Sequence, residues 1–330
     1  MKKTLVFTSI IFAILFGIFF LTHRDSLQPF EKTFLYFDTF VKIKFYPEKG
    51  LNTETIMKRV ERELQRIDNL YGYGNESLSH KLREHKKAKI TKEEYFILKK
   101  SIYVSDITDG SFDITVGSLE DIWGFREEKP HLPEREEIIK ELSRIGYTNI
   151  LLTDTSIALK EAGIIIDLGG ISKGYAVDRI VKILKEEGVK AGIVDAGGDL
   201  RTFGKKPDGK KWLIGIRDPR RPGSIIKKFY INKGAVATSG NYERFFIKYG
   251  KRYNHILDPH TGYPADGCVS VTVLTDEAIM SDALATGIFV LGPKKGMALI
   301  ERLKNVEGLI MYEENDSLEI IKSTGIELEK

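Results

Sequence analysis

Asp282 and Thr286 stand one helical turn apart in DEAIMSDALATGIFVLG, Asp276–Gly292. Residues at i and i+4 share a helix face, so the carboxylate and the hydroxyl point the same way. Leu284, Ile288 and Leu291 occupy the opposite face, and Ala278, Ala283, Ala285 and Phe289 fill the flanks. A helix that is apolar nearly all round is buried. A buried carboxylate is costly unless it is paired or metal-bound. Carboxylate plus hydroxyl is a hard-oxygen set suited to Mg²⁺. The plain alternative pairs Asp282 with an arginine and bonds Thr286 back to its own helix.

A second constellation lies in IIIDLGGISKGYAVDRI, Ile164–Ile180. The pattern predicts a strand over Ile164–Asp167, a corner at Gly169 and Gly170, and a helix over Ser172–Glu187. Bare backbone at a helix N-terminus is a ready anion site. Lys173 adds a cation in the first turn, which the helix dipole disfavours unless an anion lies near. The spacing is neither the P-loop pattern nor G-x-G-x-x-G. Asp195 ends the next predicted strand, so a dinucleotide-binding reading stays open. So does an ordinary tight turn with a solvated lysine.

A third group is VATSGNYERFF with GKRYNHILDPHTGYPA, read as a polar, glycine-bounded loop carrying Thr238, Ser239, His255, Asp258, Thr261 and Tyr263. Such loops often carry function. His255 could serve as a general base, because an unperturbed imidazole titrates close to neutrality. It could equally be structural.

The elements that must position these groups are legible in part. Ile56, Val60, Leu64 and Ile67 recur at helical spacing in TETIMKRVERELQRIDNLY. Thr91 and Glu94 form a capping box opening a helix that runs towards Gly110. PEREEIIKELSRIG is an amphipathic helix, and SFDITVGSLEDIWGF reads as loop plus a helical turn. FLYFDTFVKIKFYP, KWLIGIRDP, SVTVLT, GLIMYEE and SLEIIKSTGIEL read as strands, as does Gly192–Val194. The irregular alternation predicts a mixed α/β (α+β) fold with some antiparallel pairing.

The chain has 330 residues, enough for one large domain or two closely fused lobes. Fifty-one Lys and Arg face 47 Asp and Glu, interspersed, which gives no nucleic-acid footprint. Cys268 is the single cysteine, which excludes an internal disulfide and a cysteine metal cluster. Leu5–Leu21 is an uncharged run of 17 residues after Lys2 and Lys3, near the lower limit for a membrane span. LTHRD follows instead of a small-x-small cleavage site, so the run reads as an uncleaved signal anchor rather than a cleaved peptide. The two lysines favour an inside N-terminus. Residues 1–24 are thus expected to anchor, 25–33 to link, and 34–330 to form the catalytic domain outside the cytoplasmic membrane, facing periplasm or cell exterior.

Six ordered blocks, FDITVGSLEDIWGF, DLGGISKGYAVDRI, DAGGDL, ATSGNYERFF, YNHILDPHTGYP and SDALATGIFVLG, resemble the ApbE-type FAD:protein FMN transferases, from about Phe34 to near the C-terminus. The resemblance implies the fold of that family and Mg²⁺-dependent transfer of FMN from FAD to a threonine hydroxyl of an acceptor, with AMP released. It implies that Asp167 and Lys173 contact FAD, that Phe37, Tyr73, Trp123, Gly124 and Phe125 border the flavin, and that Ile256 touches FAD through its backbone. Mg²⁺ would be held by Asp282, Thr286 and the carbonyls of Gly170 and Ala285, and His255 would be the base. The acceptors implied are envelope redox subunits of Na⁺-pumping quinone reductases or Rnf-type complexes. Phe37-Asp38-Thr39 stands where the family has Met-Gly-Thr, Ser118 where it has Pro, and Asp195 where it has Asn. Two other functions share these residues: FAD pyrophosphatase, with water replacing threonine, and non-catalytic flavin binding in the envelope.

Overall fold

The computed structural model describes residues 28–72, 74–75, 77–127 and 129–329. The predicted anchor, residues 1–24, and Tyr73 lie outside the described residues. The central element is an eight-stranded sheet. Its spatial order is Phe30–Tyr36, Thr39–Phe45, Gly192–Ala196, Asp199–Phe203, Gly234–Gly240, Ser270–Thr275, Glu307–Glu314 and Ser317–Lys322. Every neighbouring pair is antiparallel. The expected mixture of parallel and antiparallel pairing therefore resolves to α+β.

Strand alternation sorts the core into two layers. Val271, Val273 and Ile310 face the helices Gly169–Glu186 and Ala278–Leu291. Val236, Leu309 and Met311 face the other way, where the hairpin Trp212–Arg217/Ile225–Ile231 covers them with Trp212, Ile214, Ile216 and Phe229. A small three-stranded sheet, Lys87–Lys89, Ile150–Leu152 and Ser156–Leu159, packs with the helix Lys92–Ile107. Its Ile157 and Leu159 join the core that also contains Val271 and Ile288.

Several boundaries differ from the sequence reading. The first strand begins at Phe30, inside the segment read as linker. Phe34 to Pro47 folds as the second half of that strand, a turn and its partner Thr39–Phe45. Phe37 and Asp38 form the turn, both in the left-handed region at φ 55° and 54°. That matches the right-handed twist of the hairpin, at a cost for a bulky aromatic. Ile164–Asp167 is not a paired strand but makes a single bridge, Ile165 to Val116, with Gly117 N donating to the Ile165 carbonyl and Asp167 N to the Ile114 carbonyl. The following helix starts at Gly169, so both glycines belong to its first turn rather than to a corner before it. The polar stretch Val236–Ala265, read as loop, is in part strand, with Gly234–Gly240, Phe245–Lys248 and Lys251–Asn254 paired.

The two site-bearing helices touch at Gly174. A Cβ there would strike the Ala278 carbonyl and come within 2.8 Å of Asp282 Cβ. Gly174→Ala is therefore expected to destabilise by about 3 kcal/mol, a fall in Tm of roughly 6–12 °C. An unchanged melting curve would show that the helices separate at no cost.

Candidate functional site

The helix Gly169–Glu186 delivers its N-terminus to a cleft of about 670 Å³. The helix Ala278–Leu291 delivers Asp282 and Thr286 to the same wall, and His255 comes from the end of the strand Lys251–Asn254. Phe37, Phe125, Asp167, Gly170, Lys173 and Ile256 also line it. Four expected residues sit elsewhere or undescribed. Trp123 is fully buried, because its indole N–H donates to the Gly262 carbonyl at 2.9 Å, and it stacks behind Phe125. Gly124 is the left-handed cap of the helix Gly117–Trp123, packed near His131. Ala285 lies in the core and does not line the cleft. Tyr73 is outside the described residues.

Asp282 pairs with a lysine instead of an arginine. Its Oδ2 accepts from Gly174 N at 2.8 Å, and its Oδ1 lies 3.5 Å from Lys173 Nζ. The same ammonium sits 3.0 Å from Asp199 Oδ2. With the helix starting at Gly169, Lys173 stands one turn in, and two carboxylates surround it. Burial alone would lower the Lys173 pKa, but Asp199 and Asp282 more than offset that and raise it. Burial, with Asp199 adding to it, raises Asp282 to about 7. Thr286 Oγ1 does bond back to the Asp282 carbonyl, at 3.4 Å, and lies 3.3 Å from Ser239 Oγ. A Cβ on Gly170 would meet Thr286 Oγ1 at an ordinary 3.4 Å and crowd the Phe112 ring at 3.2 Å, which places Gly170 directly beside Thr286.

Asp167 is already engaged. It accepts from Gly169 N at 2.7 Å and from the Arg126 guanidinium at 3.0 Å. Arg126 also reaches Glu120 at 2.8 Å and Asp121 at 3.0 Å. Burial first, then the Asp167 charge, pushes Glu120 well above the usual carboxylate range. Arg126, Glu120 and Asp199 escaped the residue-by-residue reading. Glu120 and Asp199 lay in quoted blocks, but which acid faces the cleft depends on pairings distant in sequence. Ile256 is fixed at both backbone groups: its N–H donates to Asn254 Oδ1 at 2.9 Å, and its carbonyl accepts from Ala265 N at 2.7 Å. That carbonyl retains one lone pair for a ligand.

His255 has a defined tautomer. Its Nδ1 lies 3.2 Å from the Arg244 carbonyl, which can only accept. Nδ1 therefore carries the hydrogen, and Nε2 the free lone pair. Desolvation lowers its pKa to about 4, opposed only weakly by that carbonyl. The ring is half-buried by surface area yet closely surrounded by protein, as befits a cleft wall. It is thus already neutral throughout the range where an unperturbed histidine titrates. Arg244 also reaches Asp38 across the mouth at 3.4 Å, between two exposed side chains.

An imidazole-resolved NMR titration of ligand-free protein is expected to show no His255 transition between pH 5.5 and 8. The folded value lies below the unfolded one, so this group costs stability as pH falls from about 6.5 through about 4 and nothing above. A midpoint between 6 and 7 would contradict the desolvated placement.

The profile of the ApbE family matches residues 37–310. A FAD:protein FMN transferase of Vibrio cholerae is 31% identical over 273 residues, 80% of this chain and 81% of that protein. One of Escherichia coli is 33% identical over 224 residues, 66% of this chain and 63% of that one. The crystal structure of the ApbE protein of Thermotoga maritima superimposes with a TM-score of 0.83 at 36% identity, covering 90% of this chain and 97% of that one. The flavin transferase ApbE of Vibrio cholerae gives 0.82 at 27% identity, covering 90% and 97%. The fold, the ordered motifs and a match across most of the length agree: the chain belongs to the ApbE family.

Proposed function

We propose that the protein transfers FMN from FAD to a threonine hydroxyl of an acceptor protein and releases AMP. The observation that carries this reading is His255. A neutral imidazole with Nδ1 tied to a carbonyl presents Nε2 as a base in the cleft that also holds the glycine-opened helix, Asp282 and Thr286. Non-catalytic flavin storage needs no such base. The names of the Vibrio and Escherichia relatives support the same activity.

In the proposed step the threonine oxygen attacks the FMN phosphorus, and the bond from that phosphorus to the AMP oxygen breaks. His255 Nε2 takes the threonine proton, and AMP departs with the bridging oxygen. The first turn at Gly169 and Gly170 offers backbone to the diphosphate, and Phe37 and Phe125 offer rings to the flavin.

The donor set also fits Mg²⁺. Among the described residues no group of three or more His, Cys, Asp or Glu is arranged for a metal. One carboxylate, one hydroxyl and a carbonyl suit an ion that keeps waters and binds substrate phosphates. Asp282, Thr286 and the Gly170 carbonyl would hold it, with Ala285 behind them in the core. When bound it would neutralise charge on the diphosphate oxygens. A carboxyl raised to about 7 binds its extra proton from roughly pH 4 upward, so metal-free stability declines as pH rises through that window. Mg²⁺ is expected to raise Tm at pH 8 in wild type and not in Asp282→Asn, whose metal-free Tm at pH 8 should be no lower. An equal Mg²⁺ response in both would remove Asp282 from the site.

We further propose that Leu5–Leu21 anchors the chain and that the body lies outside the cytoplasmic membrane. Among the described residues no helix is long and apolar enough to cross one. Acceptors there would be envelope redox subunits of the Na⁺-pumping quinone reductase or Rnf type.

The deciding experiment incubates the protein with FAD, Mg²⁺ and such a subunit and follows the acceptor's intact mass. A gain of FMN is expected, together with AMP. Free FMN and AMP with an unmodified acceptor would indicate a pyrophosphatase instead. His255→Ala should keep FAD affinity while transfer falls about 10²–10⁴-fold. A loss of affinity in proportion to rate would make His255 a binding residue.

A further inference from the structure

Charge is unevenly spread along this chain. Residues 205–233 carry ten Lys and Arg against two Asp, while the remaining residues carry 41 against 45. This segment is the loop Lys205–Lys211 and the hairpin that covers the outer face of the sheet. A run of surface charge is ordinarily just a solvated face, and three observations distinguish this one.

The first is apolar interleaving. Trp212, Ile214 and Ile216 point inward, so Lys211, Leu213 and Arg217 point outward. Tyr230 stands opposite Leu213 and Lys228 opposite Gly215. Leu213 and Tyr230 are each about half exposed, at 46% and 48%. The second is a lack of neutralising partners. Lys205, Lys206, Lys210, Lys211, Lys227 and Lys228 make no ion pair among the described residues, whereas Arg217 and Arg220, towards the turn, pair with Glu243 and Glu313. The Tyr230 hydroxyl does donate to Glu329, at 2.9 Å.

The third is where the chain comes in. Phe30 pairs with Phe45, and the next residue, Tyr46, packs on Trp212 with ring centroids 6.3 Å apart. The first strand therefore starts beside the lysine loop. Only Thr22–Pro29 separates Leu21 from Phe30. Eight residues reach at most about 28 Å. The turn at Phe37, on the cleft, lies at the far end of the same strand, about 20 Å away.

We propose that the Lys205–Lys211 loop, with Leu213 and Tyr230, docks on an anionic lipid surface. This inference rests on the reading of Leu5–Leu21 as an anchor. The short tether holds this end of the body near the bilayer. Lysines close to an anionic leaflet each strengthen contact roughly fivefold, and Leu213 and Tyr230 enter the interface as amphipathic side chains do. Docked this way, the cleft opens away from the membrane.

The test uses the full chain reconstituted in vesicles of phosphatidylcholine alone or with 30% phosphatidylglycerol, roughly the charge of an anionic leaflet. Cys268 is buried, so an environment-sensitive dye can be placed selectively at Leu213→Cys or, as a control, at the exposed Tyr249→Cys. Quenching of the 213 dye by lipid-borne nitroxide is expected in anionic vesicles, at least fivefold above neutral ones. It should disappear in high salt and when Lys205, Lys206, Lys210 and Lys211 are all changed to Glu, with the 249 dye silent throughout. Equal quenching in both lipids, none in either, quenching at 249, or a 213 response appearing only when an acidic protein is added would each overturn the proposal. Alkaline carbonate extraction reports the anchor separately. A chain that washes off yet shows anionic contact at 213 refutes the anchor and upholds the face. One that stays bound without contact refutes the face alone.

Discussion

The structure depends on one hydrogen bond, from Gly174 N to the Asp282 carboxylate. It joins the two helices that build the site, where Gly174 leaves no side chain between its backbone and the Ala278 carbonyl. Everything nearby adjusts to it. Asp282 is desolvated because the helices are that close, Lys173 is drawn in to compensate, and Asp199 is drawn in to balance Lys173. A buried charge network of this kind contributes little net stability. What it fixes is position. Three charges held by two helices and a strand end present an oxygen-rich wall whose geometry does not rely on a loop.

His255 is held in the same cleft by a different device. His255 and Arg244 are bonded across the base of the small hairpin Phe245–Asn254, through His255 N to the Arg244 carbonyl and through Nδ1 to the same oxygen. One carbonyl thus sets both the strand pairing and the tautomer. The tautomer of His255 is set by backbone hydrogen bonding, and its neutrality by desolvation, so neither depends on a carboxylate partner.

Much of this was legible in the residues. Asp282 and Thr286 declared themselves as two oxygens on an otherwise apolar helix, and Gly169-Gly170 as backbone left bare. The helix start marked by Thr91 with Glu94 fell where capping chemistry placed it. Strand pairing was not legible. Gly234–Gly240 is too small and polar to read as a strand, yet it is central to the sheet because neighbours on both sides supply the apolar surface. Trp123 looked like a flavin contact from its block alone. Only the fold shows Gly262, far along the chain, taking its N–H. Asp199 stayed hidden for a like reason, since its role is defined by a lysine in another element.

The Asp38–Arg244 pair spans the mouth between the strained first turn and the base of the small hairpin. Both side chains are exposed, and such a pair contributes about 1 kcal/mol at most. A latch that weak is broken by thermal motion at every moment. Parting the two lips breaks only this side-chain contact, and the bonds that hold Asp282 and His255, from Gly174 N and to the Arg244 carbonyl, need not break with it. Ionic strength therefore loosens the rim at a side-chain contact, while the backbone hydrogen bonds behind it are left to set where Asp282 and His255 stand.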